Sequence, residues 1–327
     1  MKSILVCGAS GFMGQNIANR FLKSTEYKVY GVGKNRVPSN HHDYEMFFNA
    51  DLTTQSGVDH VFGKGIKFDV VVQAAANTSG SKDIVSKPYL HVTDNAVMNS
   101  LILRACYDYC VDHFLFLSCG VMYDPDKSPV SEEDFSSGDK IPPAYFGVGW
   151  TKVYIEKMCE FYSGLGRTKH TSIRHSNTYG PHDKYDLEKS HMFGATITKV
   201  MSTPEGENIV VWGDGKTERD LLYVDDVVDF VDLAVKKQKS SYELVNVGYG
   251  SSFSVSEIVS KIIKFSGKNL NIVYDLSKPS INTKLSLCSK KAKLIFGWEP
   301  KVTLDEGIKK TIQWYTENNV GICDDNT

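Results

Sequence analysis

Residues 8–14 read Gly8-Ala9-Ser10-Gly11-Phe12-Met13-Gly14, after the apolar run Ile4-Leu5-Val6-Cys7 and before the amphipathic stretch Gln15–Ser24. A short apolar run that stops at glycine reads as a buried strand, and the apolar spacing that follows reads as a helix. Glycines at a strand-to-helix junction have three separate uses: a tight turn, close approach of backbone to a phosphate, and close packing of helix on strand. The N–H groups at the helix start then face a pyrophosphate. Gly8, Ser10, Gly11, Phe12, Met13 and Gly14 are therefore expected to hold a dinucleotide.

Outward from this junction, Lys28–Val32, Asp69–Gln73, Phe114–Ser118 and Thr171–Arg174 are further strand candidates, with helical patterns at Asp94–Asp108 and Trp150–Tyr162. Continuously apolar strands separated by helices predict an α/β fold, a doubly wound parallel sheet of the Rossmann type. The rhythm changes after Tyr179: 180–215 is rich in Gly, Pro, His and charge. Helical patterns return at Asp226–Lys236, Ser256–Ser266 and Leu304–Tyr315, with a strand candidate at Glu243–Val247. Residues 1–178 with 222–248 are expected to form the dinucleotide-binding domain, 179–221 with 249–318 a smaller C-terminal α/β substrate domain, and 319–327 a frayed tail.

The whole chain has 327 residues, 41% of them hydrophobic, which suits two domains or one enlarged one. Its 37 Lys+Arg against 39 Asp+Glu give a net charge of −2, so no global field recruits nucleic acid or an anionic membrane. Anion binding must then rest on a few local cations. No apolar stretch approaches the roughly 20 residues of a membrane helix, and no signal-peptide pattern opens the chain. Seven cysteines, odd in number and without a CxxC pair, point to reduced thiols and a cytoplasmic protein; no metal-ligand spacing stands out.

The GxxGxxG spacing resembles the extended short-chain dehydrogenase/reductases, the NAD-dependent epimerase/dehydratase family that modifies nucleotide-linked sugars. Asp51-Leu52 resembles the family's adenine-side pair, Ala74-Ala75-Ala76-Asn77 its cofactor-lining loop, and Asn95 its structural asparagine. Asn177-Thr-Tyr-Gly-Pro-His-Asp183, Ser190-His191, Val210-Val-Trp-Gly213, Arg219…Asp226 and Phe296-Gly-Trp-Glu-Pro300 follow in family order. This series is most similar to the GDP-L-fucose synthase subgroup. The resemblance implies that Asn177, His191, Lys199, Val210, Trp212, Arg219 and Lys284 receive the nucleotide sugar, that this partner is GDP-linked, and that the chain pairs as a homodimer or higher oligomer. Trp298 and Asp226 read as structural, the latter as a helix cap.

Cofactor choice turns on the end of the second strand. An acid there would bond the adenosine ribose and exclude a 2′-phosphate. Gly33-Lys34-Asn35-Arg36 offers two cations instead, leaning towards NADP, whereas Ser10 stands where NADP-using relatives often carry a base. NAD and NADP both remain open at this stage.

The catalytic positions depart from the family. Its Tyr-x-x-x-Lys signature places the lysine at Lys152 and puts Val148 where the tyrosine belongs. Tyr145 is seven residues before Lys152, about 10 Å away along a regular helix against about 6 Å for the usual pair. It reaches the site only if the helix start is distorted, which Gly147 and Gly149 permit. The family's active-site hydroxyl falls at Cys119, whose thiol is a weaker donor. Epimerisation would also need a cysteine where Val121 stands. His191 is retained and is the best proton-transfer candidate, with His175 and Tyr145 behind it. The resemblance thus implies hydride transfer, most readily at C4 of a nucleotide-linked hexose or heptose, without the full epimerase machinery. The alternatives are a 3,5-epimerase/4-reductase like the fucose synthases, or a protein that binds both ligands without turnover.

Overall fold

The computed structural model describes residues 1–78, 86–187, 190–277 and 284–318, so the expected tail at 319–327 lies outside the described residues. In chain order the strands are β1 (Lys2–Cys7), β2 (Tyr27–Gly33), β3 (Met46–Asn49), β4 (Val70–Gln73), β5 (His113–Cys119), β6 (Lys169–His175) and β7 (Asn177–Tyr179). They continue with β8 (Asn208–Trp212), β9 (Glu218–Tyr223), β10 (Tyr242–Val247), β11 (Ser252–Ser254), β12 (Asn271–Asp275) and β13 (Lys284–Leu285). The helices are α1 (Phe12–Leu22), α2 (Gln55–Phe62), α3 (Thr93–Asp108), α4 (Phe146–Gly164), α5 (Met192–Ser202), α6 (Val224–Lys237), α7 (Val255–Ser266), α8 (Lys290–Phe296) and α9 (Leu304–Glu317).

The main sheet runs β10-β6-β5-β4-β1-β2-β3 and every pairing in it is parallel. Side chains alternate across it as the two-residue period requires. Ile4 and Val6 pack with Ile17 and Phe21 of α1 and Val227 and Val231 of α6, while Leu5 and Cys7 pack with Val61 of α2, Ile102 of α3 and Ile155 of α4. Both faces are thus covered by helices, the condition that lets strands be apolar throughout.

Strand β9 joins the sheet to a third core. It pairs with β7, β11 and β13 in a second sheet. Leu222 points into the core shared with α1 and α6, while its neighbours Leu221 and Tyr223 point into a core built on α5, α7 and α9. The stretch 180–215, irregular by composition, contains α5 and β8. Its periodicity is disguised because the buried face of α5 includes Thr196 and Thr198. Their hydroxyls are satisfied by the carbonyls of Met192 and Tyr185 at 2.7 and 2.6 Å. Trp298 is core, its Nε1 donating to the Asp226 carbonyl at 2.9 Å. Asp226 is not a helix cap: it lies in the first turn of α6, where its carboxylate accepts the backbone N–H groups of Lys301 and Val302.

Two polar arrangements hold the carboxyl ends of the strands. Asn95 on α3 accepts the N–H of Asn77 at 2.8 Å and donates to the carbonyls of Asn77 and His91, which pins the loop after β4. Deeper, the Arg174 guanidinium of β6 binds both oxygens of Glu156 on α4 at 3.0 and 2.6 Å, and both side chains are 3% exposed. Ser118 of β5 donates to the same carboxylate at 2.6 Å. Arg174 also donates to the Tyr123 hydroxyl, which donates in turn to Asn246 of β10. Replacing Glu156 by Ala strands a guanidinium in the core, so Glu156→Ala is expected to lose about 3–5 kcal/mol in urea unfolding. A loss below about 1 kcal/mol would show that this pair does not hold α4 to the sheet.

Candidate functional site

The carboxyl ends of β1, β4, β5 and β6 open into a cleft of about 1450 Å³, closed on the far side by α5, β8 and β9. This is where an open parallel sheet receives its ligands. One end is the glycine junction. Gly8 has φ +76°, and a Cβ there would meet Ala75 Cα at 2.7 Å; a Cβ on Gly14 would lie 2.1 Å from the Gly8 carbonyl oxygen. Gly14 is therefore a packing glycine. Gly11 is less constrained than Gly14: its φ is ordinary, and a Cβ there would lie 3.3 Å from the Gly8 carbonyl oxygen, a tight contact that only a small backbone shift need relieve. It begins α1 without a side-chain cap, which leaves the first-turn N–H groups aimed at the cleft. Such a bare, positively polarised helix end fits a pyrophosphate.

Beside it, Ser10, Phe12, Met13, Lys34, Arg36, Asp51, Leu52, Ala74, Ala75 and Ala76 all line the cleft. Lys34 and Asp51, read separately from the sequence, are one unit: an ion pair at 2.8 Å. Lys34, together with the N–H and hydroxyl of Thr53, holds the Asp51 carboxyl below the usual carboxylate range. Lys34 is thereby turned towards the adenine-side acid, and Arg36 is left as the cation at the end of β2.

The middle of the cleft gathers Cys119, Val121, Tyr145, Val148, Lys152 and His175. Lys152 donates to the Leu117 carbonyl at 2.7 Å, bridging α4 to β5, and burial draws its pKa down against the opposing pull of Cys119 and Glu156. Burial raises the Cys119 thiol, with Lys152 opposing. Ser118 and Cys119 both line the cleft, and the fully buried Ser118 hydroxyl is committed to Glu156. Tyr145 does not sit on the face of α4. A 3₁₀ turn over Pro143–Tyr145 precedes the helix, and Tyr145 is its N-cap residue. The distortion needed for access is therefore present. Burial raises the phenol, with Arg219 lowering it and Cys119 raising it.

The far wall contributes Asn177, His191, Lys199, Val210, Trp212 and Arg219. His191 precedes α5; solvent reaches it through the cleft, yet protein surrounds it, and burial followed by Lys184 and His91 lowers its pKa. Lys199 donates to the Val210 carbonyl at 3.2 Å and lies 5.5 Å from the Trp212 ring, so three residues widely spaced in sequence make one surface. Arg219 is turned into the cleft, while the next residue along β9, Asp220, accepts the N–H groups of Tyr249 and Leu287 on the other side. Lys284 does not join them. It is exposed, pairs with Glu218 at 3.3 Å and stands outside the cleft lining, whereas its neighbour on β13, Leu285, lines the cleft, as alternation of side chains along a strand requires.

Sequence reasoning passed over His91, which lines the cleft and has a buried Nε2 with no hydrogen-bond partner among the described residues. It also passed over Glu156 and Arg174. Glu156 lies one helical turn beyond Lys152, and that spacing was the available signal. Among the described residues no group of three His, Cys, Asp or Glu side chains is placed to hold a metal ion, and no helix is long and apolar enough to cross a membrane.

A glycine cradle at β1–α1, a buried lysine on α4 and the lined cleft beside them define a dinucleotide-binding protein of the Rossmann fold. The chain matches the NAD dependent epimerase/dehydratase family over residues 4–248 and belongs to it. It is 27% identical over 315 residues to a GDP-L-colitose synthase of Yersinia pseudotuberculosis, covering 95% of this chain and 97% of that one. It is 32% identical over 280 residues to a probable GDP-L-fucose synthase 1 of Oryza sativa subsp. japonica, covering 82% of each. A UDP-glucose 4-epimerase of Thermotoga maritima, solved with UDP-glucose, superposes with a TM-score of 0.84 at 25% identity, over 97% of this chain and 99% of that one. A UDP-glucose 4-epimerase of Bifidobacterium longum, solved with NAD+ and UDP, shares the fold with a TM-score of 0.83 at 19% identity, over 98% and 100%.

The two glycines give separable predictions. Gly14→Ala forces backbone apart and is expected to lower the thermal midpoint clearly. Gly11→Ala is expected to keep the midpoint within about 2 °C while weakening dinucleotide binding at least tenfold in a fluorescence titration. Equal effects of both on stability would remove the assignment of Gly11 to phosphate approach.

Proposed function

We propose that the protein is an NAD(P)-dependent oxidoreductase of a GDP-linked hexose or heptose, exchanging hydride at C4 without epimerising the neighbouring carbons. The observation that carries this reading is the content of the single cleft. Lys152 reaches it from α4 and His191 and Arg219 from the far wall, while hydrocarbon, Val148 and Val121, faces it where the resembling family places its phenol and its second proton-moving group. The dinucleotide, when bound, supplies a nicotinamide ring that accepts or returns a hydride. Gly8 and Gly11 with the start of α1 would hold its pyrophosphate, Asp51 and Leu52 its adenine, and Ala74–Ala76 with Lys152 its nicotinamide half.

The chain's own groups then have distinct tasks. Arg219 suits a diphosphate because its planar fork bonds two oxygens at once. Lys199, Val210 and Trp212 offer a flat, partly exposed surface for the base, with a cation beside the ring. Asn177, His191 and Tyr145 surround the space left for the sugar. Cys119 occupies the position of the missing hydroxyl and polarises an oxygen only weakly. The reading further places the protein in a reducing cytoplasm, in keeping with the free cysteines at 7, 106, 110, 119, 159 and 288. It also places the chain in a homo-oligomer formed through α3 and α4, whose Val97, Tyr154 and Phe161 are exposed.

Turnover tests it directly. The purified protein, given NAD+ or NADP+ and GDP-, UDP-, CDP- or dTDP-hexoses in deuterated water, is expected to change nicotinamide absorbance with a GDP-sugar and to leave C3 and C5 unlabelled. Silence with every sugar would sink the oxidoreductase reading, and deuterium at C3 or C5 would restore the epimerase alternative. Arg219→Leu is expected to raise KM for the nucleotide sugar by about tenfold or more with kcat within a few-fold.

A further inference from the structure

The oxidoreductase reading needs a group at the reacting carbon that takes the hydroxyl proton, and His191, Tyr145 and His175 all line the cleft. Val148 cannot supply that group, and a weakly acidic thiol at Cys119 is a poor acceptor. We propose that His175, through Nε2, is the catalytic residue that takes and returns the proton of the reacting sugar oxygen. The inference rests on that reading and extends it to a residue outside the Tyr-x-x-x-Lys signature.

Placement is the first argument. His175 is the last residue of β6 and is the register partner of Cys119, the last residue of β5. Register partners on adjacent parallel strands stand about 5 Å apart and emerge on the same face. His175 therefore shares the position from which the missing hydroxyl would have acted, and both residues line the cleft.

Hydrogen bonding is the second. Nδ1 of His175 lies 2.8 Å from the Ser176 carbonyl oxygen and 3.1 Å from Thr178 Oγ1. A carbonyl oxygen only accepts, so Nδ1 carries the hydrogen and Nε2 is left as the bare acceptor of a neutral ring. A serine or threonine at 119 would compete for that lone pair with a strong O–H donor. The thiol that stands there competes weakly, which gives the substitution at 119 a consequence.

The surroundings are the third. The titratable groups facing His175 are Cys119 on β5, Lys152 on α4 and His191 at the start of α5. Burial first, then Lys152 and His191, favour the neutral imidazole and pull its pKa down to about 4. The ring is therefore unprotonated and ready to accept throughout the neutral range. In the oxidative direction the sugar O–H proton passes to Nε2 and the freed electron pair forms the carbonyl. The C–H bond breaks with its pair, which leaves as hydride to the oxidised nicotinamide dinucleotide, the co-reactant.

His175→Asn tests the assignment, because the shorter amide keeps a donor near the Ser176 carbonyl and removes Nε2. The variant is expected to keep its thermal midpoint and to hold dinucleotide, in a fluorescence titration, within about threefold of the parent. It should lose roughly 100-fold or more in kcat with KM little changed. The parent's kcat for oxidation should fall as pH drops through the His175 pKa, since a protonated ring cannot accept; that limb lies below an ordinary imidazole's 6.5 and is absent in the variant. Nitrogen-15 spectra, assigned by the signal lost in His175→Asn, should show the Nδ1–H form in the unliganded parent. Parental kcat and pH profile in the variant, or an Nε2–H form in the spectra, would overturn the assignment. A change confined to dinucleotide affinity would overturn it too, leaving a positioning residue. A parent that turns over no sugar removes the oxidoreductase reading and this role with it, an outcome told apart by the silence of the parent itself.

Discussion

The Arg174–Glu156 pair is the interaction on which the site depends. It is a bidentate ion pair with both side chains 3% exposed, and it ties the middle of α4 to the end of β6. Ser118 brings β5 into the same network, and Tyr123 and Asn246 bring β10. A buried pair of charges is tolerable only when its remaining hydrogen-bonding capacity is satisfied, and here hydroxyls and an amide satisfy it. The result is a rigid base beneath the three groups whose relative position matters most. Lys152 is one helical turn from Glu156, Cys119 follows Ser118, and His175 follows Arg174. In each strand the residue that points into the network is succeeded by one that points into the cleft.

The division of labour along β5 and β6 also separates folding from ligand access. The Arg174–Glu156 network holds the base of the cleft together, whereas Val148 and Cys119 line the cleft above it. The same separation appears on β9, where Asp220 is spent on backbone N–H groups and Arg219 is directed to the cleft.

Electrostatics in the cleft follow from burial more than from net charge. The chain is nearly neutral, with a formal charge of −2, and the cleft lining is mixed: Lys34, Arg36, Lys152, Lys184, Lys199 and Arg219 stand with Asp51, Asp183, Asp186, Glu218 and Asp220. Two of the acids are spent on the protein itself, Asp51 on Lys34 and Asp220 on backbone N–H groups. The cations enter from the loops after β2 and β7 and from α4, α5 and β9, so no single segment is strongly basic.

The local sequence was sufficient for the β1–α1 junction, the parallel sheet and most ligand-facing positions. Those depend on short-range rules: glycine where a Cβ cannot fit, apolar runs where both faces are covered, and neighbouring residues of one strand turned to opposite sides. The helix α5 was hidden, since threonines on its buried face, whose hydroxyls bond backbone carbonyls of the helix and of the loop before it, break the apolar period. Whether Tyr145 reaches the cleft was undecidable from spacing, because the answer lies in a 3₁₀ turn that removes it from the helix. The Lys34–Asp51 pair, the Glu218–Lys284 pair and the register of Cys119 with His175 join residues 17, 66 and 56 positions apart. Side-chain types announce what each residue can do. Only strand order and register decide which of them meet, because those distances are set by packing across the sheet and not along the chain.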